Sequence, residues 1–119
     1  MRYMLLIYGT DAAWEEAGRE ECYHESTELA HDLQANGQFI ATAPLQDLTT
    51  ATSVQVREGK RVVTDGPFAE TREYLGGYFL VDVENLDEAI AIAGRIPGAR
   101  VGTVEIRPVH ELPNLPTAS

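Results

Sequence analysis

One polar, turn-rich run between two apolar segments contains the residues best suited to chemistry. It covers residues 64–73, with the sequence Thr-Asp-Gly-Pro-Phe-Ala-Glu-Thr-Arg-Glu. Asp65 can act as a general acid or base if Phe68, which can anchor the run to the core, and Tyr78 bury it and raise its carboxyl pKa. The alternative is a structural carboxylate that accepts hydrogen bonds from the N–H groups of its own turn, where Gly66 tolerates positive φ. We predict Asp65 as the catalytic candidate and keep the structural interpretation open.

Further side chains near this run can contact a ligand. Arg72 can bind a carboxylate through two parallel hydrogen bonds, and the simpler alternative is an ion pair with Glu70 or Glu73. Tyr78 can donate a hydrogen bond to an oxyanion, although a half-buried core position is the alternative for both Tyr78 and Tyr8. The predicted ligand-contacting residues are Arg72, Tyr78, Phe68 and Tyr8.

A set of metal-binding residue types lies on the first predicted helix. His24, Glu28 and His31 follow one another at helical spacing, which places two imidazoles and a carboxylate on one face. The apolar stripe of this helix lies on the opposite side, so the three residues are expected to face water and no metal is predicted. The stripe consists of Cys22, Ser26, Leu29, Ala30 and Leu33.

The composition limits the classes of partner. The 119 residues suffice for one domain, and 19 acidic against 9 basic residues give a formal charge of −10. This charge disfavours nucleic acid and anionic membranes, which both attract clustered Lys and Arg. A single cysteine, Cys22, is typical of a reducing cytoplasm, and we interpret it as structural. The sequence has no signal-peptide pattern, membrane-spanning run or nucleotide-binding motif, so we predict a cytoplasmic protein with no membrane contact and no cofactor.

The apolar periodicity predicts alternating strands and helices. Strands are predicted at residues 2–8, 38–43, 52–57, 60–64, 78–83 and 101–108, and helices at 12–36, with a break near residue 18, and at 86–96. Glu58-Gly59 is typical of a two-residue hairpin turn. Asp11 and Asn85 are the predicted helix N-caps, and Glu88 completes a capping box at the second helix. That helix is expected to turn three residues toward the core, namely Ala89, Ile90 and Ala93.

This order of elements is that of an α+β protein with a ferredoxin-like, split βαβ fold and an inserted β-hairpin. Two helices cover only one face of such a sheet, yet the first strand is apolar on both sides. Its two faces carry Tyr3, Leu5 and Ile7 on one side and Met4, Leu6 and Tyr8 on the other. We therefore predict a homodimer in which two sheets pack face to face, with a small-molecule cleft in each subunit.

The run starting at Asp65, followed by Leu75-Gly-Gly-Tyr-Phe-Leu-Val-Asp, resembles the signature of the DGPF branch of the YCII-related family. The resemblance covers nearly the whole chain, from residues 2–8 to residues 104–108. It implies a dimeric α+β barrel. It also implies a regulatory alternative, because DGPF domains occur next to, or joined to, extracytoplasmic-function sigma factors.

Some YCII-related proteins carry a histidine on the first helix and an aspartate that are proposed as a catalytic pair. The corresponding position in this chain falls near Ser26, and His24 and His31 lie a fraction of a turn away. The resemblance therefore does not carry that pair over to this chain, and His110 is assigned no role.

Two functions follow from the sequence. The first is binding of a small molecule in the dimer cleft, with isomerase-, lyase- or hydrolase-like acid–base chemistry at Asp65; whether the protein is an enzyme stays open. The second is a non-catalytic regulatory or ligand-binding module that acts with a partner such as an extracytoplasmic-function sigma factor. We assign residues 1–109 to the domain and residues 110–119 to a C-terminal tail, which frays or lies across the partner subunit.

Overall fold

The computed structural model describes residues 1–116, which form an α+β fold. In chain order the elements are β1 (Arg2–Gly9), α1 (Asp11–Ala17), α2 (Arg19–Ala35), β2 (Phe39–Pro44), a 3₁₀ turn (Leu48–Thr50), β3 (Thr52–Arg57), β4 (Lys60–Asp65), β5 (Tyr74–Asp82), α3 (Leu86–Arg95), α4 (Gly98–Val101) and β6 (Thr103–Pro108). The α+β prediction is confirmed.

Four antiparallel strands form the main sheet in the order β2-β5-β1-β6. Each βαβ unit is therefore split by a strand of the other unit, in agreement with the predicted element order. Strands β3 and β4 form a separate two-stranded sheet, which is the predicted hairpin. Its turn residues Glu58 and Gly59 have φ of 52° and 74°, as a type I′ turn requires.

The hydrophobic core lies between one face of the sheet and the helices. The sheet contributes Tyr3, Leu5, Phe79 and Val81, and the helices contribute Leu29, Leu33, Ala89, Ile92 and Ala93. The predicted stripe of α2 is confirmed by the burial of Leu29 and Leu33. The prediction for Ile90 is wrong: its side chain is 51% exposed, and Ile92 is buried instead. Residues 89, 92, 93 and 96 follow the spacing of one helix face, and position 90 lies beside that face.

The opposite face of the sheet is apolar but only half-buried. In the strand register Leu6 lies opposite Tyr78, and Met4 lies opposite Leu80. We call this surface the open face; its residues are Met4, Leu6, Tyr8, Ala41, Ala43, Tyr78 and Leu80. None of them belongs to the buried core of the described chain.

The helix ends follow local capping chemistry. Thr10, and not the predicted Asp11, caps α1, because the Ala13 N–H donates to the Thr10 hydroxyl oxygen at 3.1 Å. The break near residue 18 is confirmed, with Gly18 at φ 88° between α1 and α2. Asn85 is the N-cap of α3 as predicted and accepts from the Glu88 N–H at 3.0 Å. These caps satisfy N–H groups that the helices themselves leave unpaired.

Two strands begin more than one residue away from their predicted starts. β5 begins at Tyr74, four residues before the predicted start, because Gly76 and Gly77 lie inside the ladder instead of preceding it. Gly77 pairs with Ile7, and a side chain there would be crowded, since its Cβ would lie 3.0 Å from the Ala43 carbonyl oxygen. β6 begins at Thr103, since residues 98–101 form α4.

The chain after β6 has no helix or strand up to residue 116. The Val109 N–H donates to the Arg2 carbonyl at 2.9 Å and extends the contact with β1 by one residue. The predicted tail, residues 110–119, lies partly outside the described residues, which end at residue 116.

Candidate functional site

A cleft opens on the helical side of the sheet, where β2 ends and β5 begins. Helices α1 and α2, the segment after β2 and residues 96–98 all contribute to its lining. The cavity volume is about 170 Å³. The side chains and backbone around it are largely apolar or aromatic, as is common for sites that bind small molecules.

Trp14 forms the α1 part of this lining, and two glycines make its position possible. A Cβ on Gly9 would lie 2.7 Å from Trp14 Cε2, and a Cβ on Gly76 would lie 2.7 Å from Trp14 Cζ2. The indole therefore packs directly on the bare backbone of β1 and β5. Any side chain at either glycine would occupy the space of the ring.

Arg19 is the basic residue in the lining of the cleft. Its guanidinium carbon lies 5.9 Å from the centre of the Trp14 ring, within cation–π range. One guanidinium nitrogen lies 3.6 Å from the Asp11 carboxylate. A hydrogen bond with Tyr23 and the charge of Asp11 raise the pKa of Arg19. The wall therefore holds a fixed cation, a carboxylate that neutralises it and two aromatic rings.

Helix α2 turns Cys22, Tyr23 and Ser26 toward the cleft. Ser26 lies near the position that corresponds to the helix histidine of the resemblance described above. His24 and His31 are exposed elsewhere on α2, and His24 Nε2 lies 2.9 Å from Glu28 Oε1 in an exposed pair. Within residues 1–116, no three His, Cys, Asp or Glu side chains converge in a way that could hold a metal ion.

The predicted residues of the Asp-Gly-Pro-Phe run lie outside the lining of the cleft. Asp65 is exposed at the end of β4. The backbone next to it closes the base of the hairpin, because the Gly66 N–H donates to the Ala51 carbonyl at 2.7 Å and the Ser53 hydroxyl donates to the Gly66 carbonyl at 2.7 Å. Gly66 adopts φ of 100°, which explains a glycine at this position. The expectation that Phe68 anchors the run to the core is wrong, because Phe68 is 83% exposed.

The other predicted ligand-contacting residues are also outside the cleft. Tyr8 and Tyr78 lie on the open face, on the other side of the sheet. Arg72 is exposed, and none of the ion pairs found in residues 1–116 includes it. Glu73, one of its expected partners, instead accepts a hydrogen bond from the Thr103 hydroxyl at 2.9 Å. The structure thus does not bring the five predicted residues together in the cleft of one chain.

The residues that form the cleft wall were missed by the sequence reasoning. Trp14 is the single tryptophan of the chain, and the sequence analysis assigned no role to it. A large ring facing small residues is a packing signal, but it becomes visible only when the strand register brings Gly9 and Gly76 to the same place.

Comparison with known proteins identifies the family. No helix in residues 1–116 is long and apolar enough to cross a membrane. The chain is 32% identical over 114 residues to an uncharacterised protein of Rhizobium meliloti, with 92% of each chain covered. The profile of the YCII-related domain matches residues 1–113. The chain therefore belongs to the YCII-related domain family.

Proposed function

We propose that this protein binds a ring-sized, mostly apolar organic molecule in the cleft. The observation that carries the proposal is the aromatic and apolar lining of a cavity of about 170 Å³. An apolar cavity of roughly 150 Å³ is enough to hold a benzene molecule. The Trp14 ring offers a flat surface for such a ligand, while Arg19 and Tyr23 offer hydrogen-bond donors at its edge.

The charges of the wall favour a neutral ligand. Arg19 is already paired with Asp11, and Asp47 adds a further carboxylate to the lining. A ligand carboxylate would have to compete with Asp11 for the guanidinium and would meet the charge of Asp47. A carbonyl or hydroxyl oxygen can accept from Arg19 or Tyr23 without that cost.

The test is a screen of neutral, monocyclic compounds by ¹H–¹⁵N NMR, with the fluorescence of Trp14 as a second signal. We expect shifts in α1, in the first half of α2 and at the start of β5. Ser26→Trp should fill the cleft and abolish binding, whereas Gln34→Trp, on an exposed part of the same helix, should leave it intact. Shifts confined to the open face, or equal binding by both variants, would refute the proposal.

A homodimer in which the open faces of two sheets pack together, as in a dimeric α+β barrel, is part of the proposal. The half-buried apolar residues of this face support it, because an antiparallel sheet that faces water on one side normally alternates with polar residues there. Leu80→Lys at the centre of the face should shift the protein to monomer in sedimentation equilibrium. Ile90→Lys, on the exposed side of α3, is the control and should leave the dimer unchanged.

Acid–base chemistry at Asp65 belongs to the same proposal. In one chain Asp65 is exposed and does not line the cleft, so its proposed role requires that the second subunit approach it. For any ligand that is turned over, Asp65→Asn should lower kcat while the ligand still binds. An unchanged kcat would leave Asp65 as a residue of the hairpin base only.

The regulatory alternative is supported by a second exposed apolar surface. Leu86 and Ile90 lie one helical turn apart on α3 and are 49% and 51% exposed. They can contact a protein partner such as an extracytoplasmic-function sigma factor in the cytoplasm. Calorimetric titration with such a purified sigma factor should give binding that Ile90→Lys abolishes; no binding by the unmodified chain would count against this function.

A further inference from the structure

The β3–β4 hairpin is an arm that extends away from the rest of the chain. It forms its own two-stranded sheet, and Ser53 is its one partly buried residue. The Cα radius of gyration is 16.0 Å, whereas a compact chain of this length has about 13.5 Å. A two-stranded hairpin is at best marginally stable alone in water. A surface that covers an arm of this kind therefore stabilises it.

One side of the arm carries three of its four valines, together with Thr52, Arg61 and Asp65. In the hairpin register Val54 lies opposite Val63, and Val56 follows on the same side opposite Arg61. Val54, Val56 and Val63, which we call the valine side, are 59%, 62% and 56% exposed. The other side carries mainly polar residues, among them Ser53, Gln55, Arg57, Lys60 and Thr64, together with Val62. The arm is thus amphipathic, with its apolar side in solvent.

The charge of the arm is opposite to that of the rest of the chain. Residues 52–65 contain Arg57, Lys60 and Arg61 against Glu58 and Asp65, a net charge of +1, which leaves −11 on the remaining residues. A surface that attracts the arm is therefore acidic and apolar in part. The rest of a second copy of this chain has that charge.

The position of the arm favours the same occupant. It leaves the main sheet after β2, which is an edge strand, and returns to β5 at Tyr74. Ala41 and Ala43 of β2 belong to the open face, so packing through the open faces brings the strand that leads into the arm to the other copy.

We propose that the valine side of the arm packs on the acidic remainder of a second copy of this chain and extends the contact made by the open faces. This inference rests on the proposed homodimer. It adds a second, separate contact region to each interface, and it brings the arm base with Asp65 next to the partner subunit.

The test compares two double variants with matched charge in sedimentation equilibrium. Val54→Asp/Val63→Asp places two carboxylates opposite each other on the valine side, and Gln55→Asp/Val62→Asp does the same on the other side. We expect the first to raise the dimer dissociation constant by about tenfold or more, as for a truncated interface hot spot. The second should change it by less than about threefold. Similar dissociation constants for the two variants would overturn the inference.

The failure of this inference differs from that of the proposed dimer. A wild-type monomer at high concentration overturns both. If Leu80→Lys dissociates the dimer and Val54→Asp/Val63→Asp leaves it intact, the dimer stands and only the contact of the arm is overturned.

A second readout does not depend on the stability of the aspartate variants. In a Cys22→Ser background, Val56→Cys should react slowly with a maleimide in the dimer, and Gln55→Cys should react fast. If both thiols react equally fast, the valine side is free in the dimer, and its proposed contact with the second copy is overturned.

Discussion

Replacing Gly76 by alanine tests whether bare backbone holds Trp14 in the wall of the cleft. The new methyl carbon would overlap Trp14 Cη2 and lie 2.7 Å from Cζ2, whereas carbon atoms in favourable contact are about 3.5–4.0 Å apart. The ring must therefore move by roughly 1 Å or more. Gly76 does not have positive φ, so the cost arises from the overlap and not from backbone strain.

The expected magnitude follows from two opposing terms. Overfilling a packed site costs about 1–3 kcal/mol. Alanine in a strand interior otherwise gains about 0.5–1 kcal/mol over glycine. Helix α1 has no buried residue and can turn outward, which limits the overlap cost. We expect a net loss of about 1–2 kcal/mol in the free energy of unfolding.

Urea unfolding followed by circular dichroism measures this loss both with and without the indole, and fluorescence reports the surroundings of Trp14, the only tryptophan of the chain. The emission of folded Gly76→Ala should move to longer wavelength as the indole moves toward water. In a Trp14→Ala background the same substitution should cost nothing or stabilise the protein, which gives a coupling energy of about 1 kcal/mol or more. If the full loss persists without the indole, contact between Gly76 and Trp14 is not its cause.

Three further predictions concern α2 and α3. Gly94→Ala should stabilise the protein by about 0.5–1 kcal/mol in urea unfolding, because a Cβ there meets nothing within 4 Å inside a helix; a loss would contradict this geometry. Ile92→Ala should lower the free energy of unfolding by about 2–5 kcal/mol and Ile90→Ala by less than about 1 kcal/mol. If Ile90→Ala is the more costly of the two, α3 turns Ile90 toward the core, as the sequence predicted. The Arg100 guanidinium is hydrogen-bonded to Glu25 and lowers the pKa of that carboxyl. The ion pair therefore stabilises the fold fully at pH above the ordinary carboxyl pKa, and this stabilisation is lost as pH falls through the lowered pKa. The difference in stability between wild type and Glu25→Gln should therefore vanish toward acid, and a difference that grows there would contradict the pairing.

Local patterns were sufficient to predict the six strands and the longer helices, although not α4. Apolar periodicity located every strand of the main sheet, and Glu58-Gly59 predicted the hairpin turn because the turn needs positive φ at both positions. The pattern did not determine the orientation of α3, because Ile90 and Ile92 both lie near the apolar face of a short helix. Only packing against the sheet selects Ile92.

The cleft could not be predicted in the same way, because its wall depends on contacts between distant parts of the chain. Trp14 packs on Gly9, its near neighbour in sequence, and on Gly76, which lies on another strand. The run around Asp65 was predicted to be a site because it is dense in turn residues. In the structure the backbone of one of these residues, Gly66, forms the hydrogen bonds that close the hairpin base. Phe68 was expected to be buried because aromatic residues usually are, yet it extends into solvent from that run.

Proton transfer in this cleft would fall to a carboxylate, either Asp11 or Asp47 of its own lining or Asp65 of a second subunit. Histidine is the side chain that normally titrates near neutral pH, and none of His24, His31 and His110 lines the cavity. If Asp65 of one subunit serves the cleft of the other, subunits with different defects should complement each other. Mixing inactive Asp65→Asn and Ser26→Trp dimers, followed by subunit exchange, should restore about a quarter of wild-type turnover, because half of the dimers are mixed and each has one intact site. No recovery in dimers shown to have exchanged would place any catalytic Asp65 in its own chain or remove it from the reaction.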